Sequence, residues 1–193
     1  DDGKGGGDDD DDDDKPPVLF TFTEHVDPKD PSKGVETVQE EWSEDHAKLL
    51  YMMSKYAQCA LTPEDQESWI RQIPLLVMIY EGITAGILDY DYAPCSILIT
   101  QEGRSRRVWL NITQEGKAAV DDLREKKMIN GLKLSTEDFQ PVTAFQVSQK
   151  GLQFAEQMPQ ELKTAVDGFI YAPSPWPREL LAVKFYPGEE ADE

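Results

Sequence analysis

Residues 97–123, ILITQEGRSRRVWLNITQEGKAAVDDL, decide how the rest of the chain is read. Ile97 to Thr100 and Val108 to Ile112 are short β-branched or aromatic runs, separated by a polar segment that holds Gly103, Arg104, Arg106 and Arg107. That composition predicts a β-hairpin with a basic tip. Thr113 then stands where a hydroxyl can accept an orphan backbone N–H. The pattern Lys117, Ala118, Ala119, Val120, Leu123 that follows is helical. A strand therefore feeds directly into a capped helix.

Working back from the hairpin, Leu75 to Ala85 reads as a helix that is apolar nearly all round, with Gly86-Ile87-Leu88 leading into an extended segment. Ser43 before Glu44 and Asp45 is a helix start. Leu49, Leu50, Met53, Tyr56, Ala57 and Ala60 form one stripe, predicting a helix as far as Ala60. Thr62-Pro63-Glu64-Asp65 has the form of a second start, with a cap followed by proline, and predicts a helix carrying Trp69, Ile70 and Ile73 inward. Val18 to Phe22 alternates like a short strand. Leu180 to Tyr186 reads as another, and the two are expected to pair. Glu161 to Val166 predicts a short helix or a turn, and the prolines of Tyr171 to Pro177 exclude regular structure.

Three helices, a hairpin and a capped helix in that order resemble the winged-helix superfamily, in particular its MarR-type and PadR-type regulators. The motifs carrying the resemblance are Gly86-Ile87-Leu88, the arginine-bearing segment from Gly103 to Arg107, and Trp109 to Gly116. The resemblance implies an α+β fold that is mainly helical, winged-helix-like with short hairpins. An echo extends it: AFQVSQKGLQFAEQM, from Ala144 to Met158, repeats WLNITQEGKAAVDDL at an offset of 35, with Ser148 over Thr113 and Gly151 over Gly116. The expected organisation is an acidic, largely disordered linker over 1–42 with a short strand at 18–22. A first unit over 43–129 and a second over 114–186 share a helix, and an acidic tail occupies 187–193.

Charge bounds the partners. The formal net charge is −19, but the first 45 residues hold 17 acids and 4 bases, and residues 189–193 add four acids. Between them lie 17 acids and 15 bases, so the foldable part is nearly neutral. Asp8 to Asp14 is an uninterrupted aspartate run beside glycines, a composition that buries nothing. Two cysteines, Cys59 and Cys95, are too few for a disulfide framework and predict reduced thiols of an intracellular protein, in cytoplasm or nucleus. The apolar run Ile73 to Leu88 is too short to span a bilayer and is broken by Glu81, so no membrane role is expected.

Candidate chemistry is sparse. His25 and His46 are the only histidines, and His46 and Cys59 fall on different helix faces, which argues against a Cys–His nucleophile. Asp89 and Asp91 lack a third ligand for metal, and Asn111-Ile112-Thr113 reads as structure although it has the form of a glycosylation sequon. No cofactor, metal site or catalytic residue is expected. Arg104, Arg106 and Arg107 are the candidate phosphate-contacting residues of a nucleic-acid reading, with Arg124, Lys126 and Lys127 as support. Against that reading, Leu75 to Ala85 holds no Lys, Arg, Asn or Gln to read bases. The preferred expectation is a non-catalytic protein-interaction or scaffold module of a larger protein, bound to a protein partner or a neighbouring domain. A nucleic-acid-binding regulator is the alternative. An enzyme, with a pocket around Asp89, Asp91 and Tyr92, is the third reading.

Overall fold

The computed structural model describes residues 16–27, 30–101, 104–134, 142–170 and 182–185. The expectation of a mainly helical architecture is corrected by it. The fold is α+β, with strands in three antiparallel sheets alongside the helices. One core cluster takes residues from Phe20 to Phe169.

The first correction lies in the supposed linker. β1 (Val18–His25) pairs along its whole length with β2 (Val35–Trp42), not with the C-terminal strand. Alternation puts Phe20, Phe22 and Trp42 on the inner face, where Phe22 stacks on Phe154 with ring centroids 4.1 Å apart. β2 looks like linker because of its acids, yet its inward Glu40 is 3.0 Å from Lys126 and its end is the buried Trp42. Gln157 straps the hairpin further: its Oε1 accepts from the Thr23 N–H at 2.8 Å and its Nε2 donates to the Thr23 carbonyl at 2.8 Å.

α1 (Glu44–Ser54) starts as the sequence predicts, the Ser43 hydroxyl accepting the His46 N–H. It stops six residues short of Ala60 because the backbone there is recruited elsewhere. The Val147 N–H donates to the Ala57 carbonyl at 2.8 Å, and the Ser68 N–H to the Gln58 carbonyl at 2.9 Å. The predicted second helix is also corrected. The Asp65 carboxylate reaches back to accept the Leu61 and Thr62 N–H groups, closing a turn, and β3 (Glu67–Arg71) follows. Its Trp and Ile are β-formers placed at the centre of a sheet. Periodicity alone did not separate that role from a helix face.

α2 (Gln72–Thr84) buries Leu75, Leu76, Met78 and Ile79. Pro74 sits in its first turn, where the missing N–H has no intrahelical acceptor to lose. β4 (Ala93–Gln101) and β5 (Arg104–Ile112) form the predicted hairpin as a two-stranded sheet of their own. α3 (Gln114–Glu125) leads to β6 (Ile129–Leu134) and β7 (Val142–Val147), then to α4 (Gln149–Gln157) and α5 (Gln160–Ile170), the last longer than expected. β8 (Ala182–Phe185) completes a sheet ordered β6-β7-β3-β8, so its partner is β3. Tyr171 to Pro177, the acidic run and the tail lie outside the described residues.

The sequence echo has a physical counterpart. Thr113 Oγ1 accepts the Gly116 N–H at 3.0 Å, and Ser148 Oγ accepts the Gly151 N–H at 3.1 Å. At both positions glycine is demanded by crowding. A Cβ on Gly116 would lie 2.4 Å from the Thr113 methyl, and one on Gly151 would lie 2.1 Å from the Met128 carbonyl oxygen. The surroundings differ, since β7 joins β3 whereas, among the described residues, β4 and β5 pair only with each other.

Candidate functional site: an outward ribbon

Alternation along β4 and β5 sorts the ribbon into two faces. Val108, Leu110 and Ile112 share one with Cys95 and Ile97, and burial deepens along it toward Ile112 at the base. The other face carries Pro94, Ser96, Leu98, Arg107, Trp109 and Asn111. On it Trp109 is 73% exposed and Leu98 59% exposed, one diagonal apart across the pair Ser96↔Trp109 and Leu98↔Arg107. An indole this exposed on an ordered strand buries nothing within the fold.

The three candidate arginines are all exposed, but they are not on one face. Arg107 stands beside Trp109, donating from Nη1 to Ser96 Oγ at 3.3 Å, while Arg104 and Arg106 continue the Val108 face toward the tip. Among the described residues no carboxylate lies within ion-pair distance of any of them. The expected supporting cations behave differently. Arg124 is 3.1 Å from Asp121 and Lys126 is 3.0 Å from Glu40, which leaves Lys127 exposed at the end of α3. The exposed surface of α3 also carries Glu115, Asp121 and Glu125. Nothing in composition marks Trp109 or Leu98 as exposed, although parity with Val108, Leu110 and Ile112 places Trp109 on the opposite face.

The catalytic alternatives have specific geometry. Asp89 and Asp91 precede β4 rather than projecting from it; the Asp91 N–H donates to Glu115 at 2.9 Å, and Tyr92 packs edge-on against Tyr80. A cavity of about 250 Å³ lies elsewhere, lined by Tyr51, Lys55, Gln58, Leu152, Glu156 and Lys163 among others. Its lysines are engaged: Lys55 sits over the Tyr51 ring and 3.9 Å from Asp167, and Lys163 donates to the Glu156 carbonyl. Ser43, His46 and Asp122 occur in the order of an acyl-transfer triad, with Ser43 Oγ 2.8 Å from His46 Nδ1. Nε2 is 3.7 Å from Asp122, however, and the hydroxyl is committed to capping α1. The arrangement is a helix cap between α1 and α3. The thiol of Cys59, pushed up by burial, is held in its unreactive form, and both cysteines are free.

His46 does supply a pH dependence. Burial lowers its pKa, against the opposing pull of Asp122 and Asp45. Well above the ordinary imidazole pKa of about 6.5 the ring is neutral in both folded and unfolded chains. As pH falls below that value the unfolded chain takes the proton first, so folding stability is lost until the folded pKa is passed. Urea unfolding of wild type and His46→Gln at pH 7.5 and 5.5 should show the wild type losing more stability than the variant. An equal loss would contradict the assignment.

The fold and its outward ribbon define an α+β module with an aromatic-and-arginine surface on a two-stranded sheet. Residues 45–190 match the Uncharacterized protein MJ1567 family, and the chain belongs to that family. No curated protein and no solved structure matches the chain. Among the described residues no helix is long and apolar enough to cross a membrane, and no group of His, Cys, Asp or Glu is arranged to hold a metal ion.

Proposed function

We infer that the protein is a non-catalytic, intracellular interaction module, and that β4–β5 is its docking element. The observation that carries this reading is the exposed Trp109 beside Leu98. Exposed aromatics at the centre of a surface are the usual energetic anchors of protein interfaces, and a lone ribbon offers them without disturbing the core. Kinship with winged-helix proteins belongs to the same proposal, and rests on the twice-used strand, hydroxyl cap and glycine rather than on helix content.

Nucleic-acid binding is the second reading, favoured by the exposed Arg104, Arg106 and Arg107. It is the weaker one because the cations are divided between two faces and α3 turns carboxylates outward. A photo-crosslinking residue at Leu98 of the full-length protein, compared with one at the exposed Glu161, tests both in the protein's own cells. A discrete protein adduct at position 98, absent at 161 and lost on Trp109→Ser, is the expected result. Adducts to nucleic acid, or none at 98, would contradict it.

A further inference from the structure

We propose that the partner presents an extended acidic segment bearing one large apolar side chain, and that this segment lies along the outer edge of β4 as an added strand. The inference rests on β4–β5 being the docking element, and adds the chemistry of what docks. Among the described residues β4 pairs with β5 alone, while β5 is the strand that meets α2. The β4 edge therefore has main-chain groups to offer, and an extended peptide satisfies them by strand addition. Pro94 has no N–H and sets the near limit, leaving Cys95 to Gln101 as the template with Leu98 at its centre.

Side chains choose the peptide. Leu98 and Trp109 form an apolar platform that takes a large apolar residue, and Arg107 beside them takes a carboxylate. Arg104 and Arg106 extend the positive field toward the tip. A second copy of the ribbon in this place would set arginine against arginine, so self-pairing is disfavoured. A nucleic-acid strand would find one cation on the Trp109 face, too few to track a phosphate backbone. The other candidate sites are already engaged: the cavity lysines with protein acceptors, and Ser43 with the α1 cap.

Fluorescence anisotropy on the full chain tests this with labelled synthetic peptides. The first is glutamate-rich with one central phenylalanine, the second replaces its glutamates by lysine, and two more are N-methylated on alternate residues in either register. The first should bind and weaken as salt rises. Trp109→Ala should weaken it roughly 30-fold, the loss expected of a central aromatic anchor. Arg104→Ser/Arg106→Ser/Arg107→Ser should abolish the salt dependence, and one N-methylated register should fail to bind. Equal binding of the lysine peptide, of both N-methylated peptides, or of an oligothymidylate in place of the acidic peptide would overturn the proposal. Failure of the acidic peptide while the adduct at position 98 persists would overturn the partner chemistry and leave the docking role standing. Loss of both would remove the docking role as well.

Discussion

Met78→Lys should leave the chain unable to reach its native fold, read as loss of the cooperative urea transition. Met78 is fully buried on α2 among Leu75, Ile79 and the α1 methionines of one core cluster. An ammonium placed there costs several kcal/mol even after the surroundings relax. That is a large part of the ~5–15 kcal/mol that stabilises a domain. The one acid on α2, Glu81, is a half-exposed i+3 neighbour, and pairing with it would not remove the cost of an ammonium buried at position 78. Leu98→Lys on the ribbon is the matched control, expected to change stability by less than about 0.5 kcal/mol. A soluble, cooperatively folded Met78→Lys would mean that α2 faces outward.

Phe22→Ala should cost about 3–5 kcal/mol in urea unfolding, the range for truncating a buried aromatic. The ring stacks on Phe154 and lies 5.8 Å from Trp42, so its loss opens a gap between the β1–β2 hairpin and α4. Phe20 and Trp42 still anchor the hairpin in the core, and the Gln157 hydrogen bonds and ion pairs such as Lys126 with Glu40 still tie it down, but none of these refills that volume. A change under about 0.5 kcal/mol would return residues 18–42 to the role of a linker.

These two residues also mark how far the sequence can be read. Met78 was legible because α2 carries no side chain that tolerates solvent on most of its surface, and no tertiary arrangement satisfies such a helix except burial. The hairpin of β4 and β5 and the cap at Thr113 were legible for a similar reason: turn chemistry and a capping hydroxyl act within a few residues. Phe22 was legible as a strand residue, but its partner β2 was not. Pairing is a non-local choice, and β2 hides its inward Val38, Glu40 and Trp42 among outward acids. β3 failed for a related reason. Trp69, Ile70 and Ile73 fit a helical stripe as well as a strand running into α2, and the deciding contacts come from β7 and β8, more than seventy residues away. At the ribbon, the arginines drew attention by charge, while Trp109 passed as one more strand-forming aromatic. Its opposition in parity to Val108, Leu110 and Ile112 was the available signal.

The most direct measurement is the pairing of two readouts on Trp109→Ser: its urea midpoint, and its adduct at Leu98. An exposed docking residue predicts an unchanged or slightly raised midpoint together with loss of the protein adduct. A midpoint that collapses as a core tryptophan's would, or an adduct that survives the substitution, would contradict the account.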